Sequence, residues 1–369
     1  MEDIRKEKII LSNIEKDENG NLLYCASGVD EVLEMLYHAA NGKTRDELSR
    51  VICENKPVET DNDSTVRSGN LIICNKDKVL KINAEYEKLL KDEYHAKILL
   101  CDEKNADEAV REANAFISCC TGGKIKKAVD KKTILTNAVT ASNSTYFDAQ
   151  WEDCFTKAGR QLFYNENGSP EDVDFMNGKA DAYYYNEHLH GCMKRYQGGR
   201  YEFYAYTKND KSGEHKGFTI DDLDLLEDMH AAYAGKYLNV HLAMPKFSIN
   251  SEIDLDVALN DMGLAEMYDK FNANFTKGFI SKPYVDKNGA VLPTNIYVDK
   301  IKQQCGLKLD EKGTVAWAHT VLNMGAVVLC MQPEIEDIYL CLDKPFFFRI
   351  YDRGQQRTLF AGIVNNLQF

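Results

Sequence analysis

Beginning at Gly313, small and bulky side chains alternate: Thr314, Ala316, Ala318 and Thr320 fall on one face of an extended segment, and Val315, Trp317, His319 and Val321 on the other. Such a segment can slide between two existing strands, with its small face over a packed core and its large face toward solvent. The apolar run Met324 to Met331 follows, ended by Gln332-Pro333-Glu334, and Lys344 to Ile350 and Leu359 to Asn365 then read as two late core strands. A plain edge hairpin in a β-rich protein shows the same alternation, so the pattern alone leaves both readings open.

The first 130 or so residues read mainly as helices. Ile9, Ile10 and Ile14 give one apolar face that runs out at Asn19-Gly20, and Thr44-Arg45-Asp46-Glu47 reads as a capping box opening the next helix. Asn83 to Leu90 and Asp107 to Ser118 are further helices, the latter stopped by Thr121-Gly122-Gly123. Strands dominate later, at Tyr183 to Tyr185, Tyr201 to Tyr206, Leu238 to Ala243 and Asn295 to Val298, with a helix at Leu255 to Met262 among them. Helices first and strands afterwards predict an α+β protein on large, mostly antiparallel sheets. No linker, repeat or low-complexity tract divides residues 1–369, which read as a single domain.

Composition narrows the function. A net charge of −13 opposes a nucleic-acid or anionic-membrane partner, which needs a basic face. The charged start Met1 to Lys8 leads to no apolar stretch of a signal peptide, and no apolar run approaches a membrane span. Eleven cysteines without Cys-x-x-Cys spacing point to free thiols in a reducing, cytoplasmic setting, with release from the cell only by a signal-independent route; Cys330 is the thiol expected to react, and adjacent Cys119-Cys120 read as core or helix end. Gly-x-Ser-x-Gly, Walker, Gly-x-Gly-x-x-Gly and His-Glu-x-x-His motifs are all missing, so no enzyme is expected. His188 and His190 sit at the spacing of two ligands on one strand face, but a pair alone makes no site; no metal or cofactor is expected. Asp221-Asp222-Leu223-Asp224 reads as a solvated helix start, and the sequons at Asn143, Asn167 and Asn274 are expected to carry no glycan.

From about Asn21 to Asn366 the order of motifs resembles the serpin family of protease inhibitors, in its intracellular form. Asn21-Leu22-Leu23-Tyr24 with Gly42-Lys43-Thr44, then Thr121 to Ile125, then Asn143-Ser144-Thr145-Tyr146-Phe147 through Trp151, carry the first half of the likeness. Phe175-Met176, Met244-Pro245-Lys246-Phe247, Asp310-Glu311-Lys312-Gly313-Thr314 and Pro345-Phe346-Phe347-Phe348 carry the second. The resemblance implies a serpin fold of three β-sheets, eight to nine helices and an exposed reactive-centre loop at about 311–340. It implies a metastable monomer that traps a serine endopeptidase as an acyl-enzyme while the cut loop, led by the hinge residues Glu311, Gly313, Thr314, Ala316, Ala318 and Thr320, inserts into the main sheet.

Counting by the family's spacing from Gly313 puts the cleaved bond at Val327-Val328, which suits an elastase-like pocket, while Leu329 or Met331 suits a chymotrypsin-like or cathepsin-G-like one. No Arg or Lys lies between Lys312 and Lys344, which opposes a trypsin-like target. Departures from the family pattern gather where the sheet opens, around Asn143, Trp151 and Gln303. Cys25-Ala26-Ser27-Gly28 replaces the usual Ser-Pro-x-Ser, and Asp30, Glu31 and Glu34 charge a helix usually buried. Gln303 replaces a His, and its amide is expected to bond Asn143 without that His's pH sensitivity. Glu54 to Arg67 is too short and acidic for the family's heparin-binding helix, so no heparin activation is expected. These departures keep two further readings open: a serpin-fold binding protein that no longer inhibits, and an inhibitor of a cysteine protease.

Overall fold

The structure, a computed structural model, describes residues 2–52, 66–123, 125–209, 214–235, 238–314 and 336–368. Helix α1 (Glu2–Asn13) buries Ile10 and Leu11, and Ile14 just beyond it is buried too. It ends well before Asn19, because the Asp17 carboxylate accepts from the amides of Asn19 and Asn21 and turns the chain there. Strand β1 (Leu22–Cys25) then runs straight into helix α2 (Ala26–Ala39), whose buried residues include Glu31 and Glu34.

The central sheet consists of two halves. One holds β2 (Val66–Asn75) between β3 (Lys97–Cys101) and β4 (Val139–Phe147), with helix α3 (Ala106–Cys120) packed across it. The other has the order β6-β7-β8-β5, where β5 is Ala149–Gln150, β6 Phe247–Asp254, β7 Lys302–Asp310 and β8 Gly313–Thr314. Among the described residues no strand pairing joins β4 to β7, although Asn143 of β4 and Gln303 of β7 both come up to Gly28 of α2.

Two more sheets close the core. A seven-stranded sheet places β1 beside the late strands Arg357–Val364 and Phe346–Asp352, and a four-stranded sheet carries β9 (Glu336–Cys341) at one edge. Phe346, Phe348 and Leu342 are wholly buried in the second apolar cluster with Trp151 and Phe203, while Phe347 packs into the cluster that also holds α2. Most pairings are antiparallel; β2 with β3 and β9 with Leu238–Pro245 are the parallel ones. The nine described cysteines are all free thiols, and no helix among the described residues is long and apolar enough to cross a membrane.

Several local expectations change under tertiary packing. Thr44 does not cap: the short helix Gly42–Leu48 starts after Asn41, the Thr44 hydroxyl accepts from the Asn274 amide, and Glu47 accepts from the Glu266 amide. Asn295 to Val298 forms no strand, because its groups are satisfied by neighbouring turns: Asn295 donates to the Ala273 carbonyl at 2.7 Å and the Val298 amide donates to the Met267 carbonyl. Near Asp221 the helix is a 3-10 segment, Ile220–Asp228, closed by a capping box of Thr219 with Asp222. His188 precedes the strand Leu189–Arg195 instead of sharing its face with His190. Burial pushes His190 down to about 4, with the Lys344 charge adding to it, so that imidazole is neutral at pH 7.

A seam in the central sheet and its hinge

Three local structures converge where the two half-sheets meet. β8 is the hinge: Thr314 pairs with Leu309 and Asp310 with Gly313 through a tight turn at Glu311-Lys312, and on the other side Gly313 and Thr314 pair with Gln150 and Ala149. Of the expected hinge residues, Gly313 and Thr314 are thus already strand, while Glu311 lies in the turn. Gly313 is required here because a Cβ would press into the Ala149 carbonyl oxygen. Gly313→Ala is expected to break the pairing with β5 and, as overpacking does, cost about 1–3 kcal/mol; a fall of a few degrees in thermal unfolding checks it, and an unchanged midpoint would refute it.

Trp151 organises the roof of the hinge. Its ring stacks on Tyr196 at 4.3 Å and meets Phe155 and Phe203 edge-on, its indole N–H donates to the Asp310 carbonyl, and its amide donates to the Lys312 carbonyl. Tyr196 and Thr314 share a hydroxyl–hydroxyl bond of 2.9 Å, both groups fully buried. Beside them Lys246 reaches Glu311 at 2.9 Å; burial opposes the charge on Glu311, yet the Lys246 ammonium holds its carboxyl below the usual range.

Below the hinge the seam is a trough. A cavity of about 510 Å³ lies between β4, β7 and the turn after α3, lined by Thr145, Phe147, Ser251 and Leu307 among others, and one of about 540 Å³ continues it toward Thr140, Ala141, Lys302 and Gln304. β4 and β7 each run for nine residues along it, the span a further strand would fill.

Beneath the trough, the Glu31 side chain of α2 meets one half and the Cys25 backbone at the β1–α2 junction meets the other. Asn143 donates to Glu31 Oε2 at 2.8 Å, and the same oxygen accepts from Asn70 Nδ2 at 3.0 Å and Ser68 Oγ at 3.0 Å. Gln303 does not bond Asn143; its amide closes a two-bond ring on the backbone of Cys25, accepting from N–H and donating to C=O at 2.8 Å each. Gly28 lies between the two groups, where a Cβ would come 2.5 Å from Asn143 Oδ1 and 3.3 Å from Gln303 Nε2. The expected Gln303–Asn143 bond is therefore replaced by two separate clamps, Asn143 on Glu31 of α2 and Gln303 on the Cys25 backbone that ends β1. Sequence reading noted the charge of Glu31 but missed its role; the signal was two acids, three apart, inside an apolar helix.

Of the expected site residues, Asn143, Trp151, Gln303, Glu311, Gly313 and Thr314 gather around this seam. Ala316, Ala318, Thr320, Val327, Val328, Leu329, Met331 and the thiol of Cys330 lie outside the described residues, and β9 resumes the chain at Glu336, short of the 340 expected for the loop's end.

Among the described residues the central sheet is split between β4 and β7, with Gly313 and Thr314 paired at the upper end of the seam. The family profile for Serpin (serine protease inhibitor) matches residues 9–367, and the chain belongs to the serpin family. It is 22% identical to Serine protease inhibitor 2 of Anopheles gambiae, over 98% of this chain and 90% of that protein. The native thermophilic serpin tengpin superposes with a TM-score of 0.77 at 21% identity, covering 99% of this chain and 93% of its own. Thyroxine-binding globulin in complex with thyroxine superposes at 0.68 with 18% identity, covering 99% and 97%.

Proposed function

We propose that the chain is a suicide-substrate inhibitor of a serine endopeptidase of chymotrypsin, elastase or cathepsin G type, acting as a monomer without heparin. The observation that carries this reading is the seam left unpaired among the described residues, with Gly313 and Thr314 already paired at its head. A cut loop can continue the strand that the hinge begins. Each added backbone hydrogen bond contributes about 1 kcal/mol net, so a strand bonded on both edges along β4 and β7 releases on the order of 10 kcal/mol. That release drags the acylated protease away from its docking position before water can free it. The reactive bond proposed is Val327-Val328, with Leu329 and Met331 as the alternatives.

One observation favours a second reading, a serpin-fold binding protein: the buried Glu31 ties β2 and β4 to α2 more tightly than a freely opening sheet would need. Incubation with neutrophil elastase, chymotrypsin and cathepsin G, followed by denaturing gels and intact mass, separates the readings. A complex that survives denaturation is expected, and the released peptide's mass selects among Val327, Leu329 and Met331. Clean cleavage without a complex would move the assignment to the binding protein, and a complex with a cysteine protease that thiols dissolve would move the target class.

A further inference from the structure

A third cavity, about 670 Å³, is larger than either cavity of the seam. It shares Thr136, Asn137 and Asp299 with the lower seam cavity and is otherwise built from other residues. Pro283, Tyr284 and Val285 supply its apolar lining together with Ala138 and Tyr297. Its volume falls in the range of sites that enclose small molecules, roughly 300–1,000 Å³.

The apolar part of this cavity is bordered by a hairpin that the core leaves in water. Tyr284–Val285 pairs with Val291–Leu292, so Tyr284 and Leu292 share one face and Val285 and Val291 the other, and all four are exposed. The Asp286 carboxylate closes the turn between them, accepting from the amides of Asn288 and Ala290. Leu80 and Ile280, on the neighbouring pair of Val79–Ile82 with Phe279–Ser281, are exposed as well. A two-stranded hairpin alone is marginally stable in water, and this one gains from an apolar body that covers Tyr284 and Val285.

Another part of the lining is cationic. The Lys282 amide donates to the Lys78 carbonyl, extending the pairing of Ser281 with Val79, so two lysines stand side by side at the cavity. Among the described residues each ammonium donates only to main chain, Lys78 to the Thr136 carbonyl and Lys282 to the Lys76 carbonyl at 3.4 Å. Asp77 and Asp299 line the cavity too, but among the described residues neither forms an ion pair with Lys78 or Lys282. Two adjacent ammonium groups thus lack a charged acceptor, and a carboxylate is a stronger acceptor than a carbonyl.

We propose that this cavity is a binding site for an amphipathic monoanion, an apolar chain or ring bearing one carboxylate. The apolar body lies against Pro283, Tyr284, Val285 and Tyr297. The carboxylate takes the Lys78 and Lys282 ammonium groups from the main-chain carbonyls they now serve. Apolar cover and charge are both required, so neither a short carboxylate nor a cationic amphiphile satisfies the site.

The probes are dodecanoate, acetate and dodecyltrimethylammonium, each titrated calorimetrically below its micelle concentration into the full chain. Dodecyltrimethylammonium carries the same tail on the opposite charge, and a chain of net charge −13 favours it on electrostatic grounds. Dodecanoate is nevertheless expected to fill one saturable site about tenfold more tightly than the cationic amphiphile, and acetate none. Lys78→Glu combined with Lys282→Glu should reverse that order, and Tyr284→Asp should weaken dodecanoate about tenfold. Leu162→Asp, at an exposed apolar residue of a different sheet, should leave it unchanged. Equal affinity for the two heads, an order that the double variant does not reverse, or a loss with Leu162→Asp equal to that with Tyr284→Asp would overturn the site. Binding to vesicles of phosphatidylcholine with about 30% phosphatidylserine, without saturable binding of free dodecanoate, would overturn it in favour of a membrane-docking face.

Discussion

Thr314→Arg is expected to convert the chain from an inhibitor into a substrate. Thr314 is fully buried in β8, its hydroxyl bonded to Tyr196, whose ring stacks on Trp151. The Lys194 ammonium already sits 5.9 Å from the Trp151 ring centre, so a second cation would meet repulsion as well as desolvation. An unpaired buried charge costs several kcal/mol, so an Arg here is expelled, and β8 is expelled with it. Under the proposed insertion stroke, the strand then fails to start, and the acyl-enzyme has time to hydrolyse. Against the protease that the parent traps, the variant should give less than about a tenth of the denaturation-stable complex, with cleaved chain and recovered protease activity in its place. Cleaved parent should gain thermal stability and cleaved Thr314→Arg should gain little. Thr314→Val, which removes only the Tyr196 hydrogen bond, should keep most of the trapping. Full trapping by the Arg variant would show that Thr314 does not lead the inserted strand.

The second large effect concerns pH. Glu34 lies inside α2, 3% exposed, with Tyr94 Oη donating to one carboxyl oxygen at 3.4 Å and the other oxygen without a partner. Burial pushes its carboxyl up to about 8, with the Asp30 charge next and Arg357 only partly offsetting them. The folded chain therefore favours the protonated form. The stability this contributes is fully present below the ordinary carboxylate value of about 4.5, falls as pH rises, and is gone above the folded value of about 8. At 1.36 kcal/mol per pKa unit, the loss across that window is about 5 kcal/mol. Glu34→Gln removes the titration while keeping the shape. Its unfolding midpoint should match the parent's near pH 5 and exceed it by a margin that widens up to about pH 8 and then levels. A constant difference between the two chains from pH 5 to 9 would show that Glu34 is not the group responsible.

Both effects depend on where side chains of distant segments meet, and this divides what could be read early from what could not. Periodicity was a good guide wherever one face of an element is buried against one partner. The helix at 84–92 with its Asn83 cap, the helix at 106–120 closed by Gly122 and Gly123, and the strands Ala182–Tyr185, Tyr201–Lys208 and Leu238–Pro245 all lie where alternation or helical spacing placed them. Asn295 to Val298 misled because its apolar residues, Ile296 among them, are buried from an irregular backbone whose hydrogen bonds go to turns. Thr44 and Glu47 misled for a related reason: the donors they accept from belong to Asn274 and Glu266, more than 200 residues away.

The α+β order of elements, the small-residue alternation from Thr314 and the stretch between Lys312 and Lys344 without Arg or Lys were legible in the chain, because each is a local pattern of side-chain size, polarity or charge. Tertiary structure alone decided that Gly313 and Thr314 already belong to the sheet, that Gln303 turns to Cys25 across 278 residues of chain, and that Glu31 collects Asn143 across 112. A hydrogen-bond partner is chosen by which donors packing brings within 3 Å of a buried acceptor that must be satisfied. That proximity is set by how the two half-sheets come down on α2, and no local pattern encodes it.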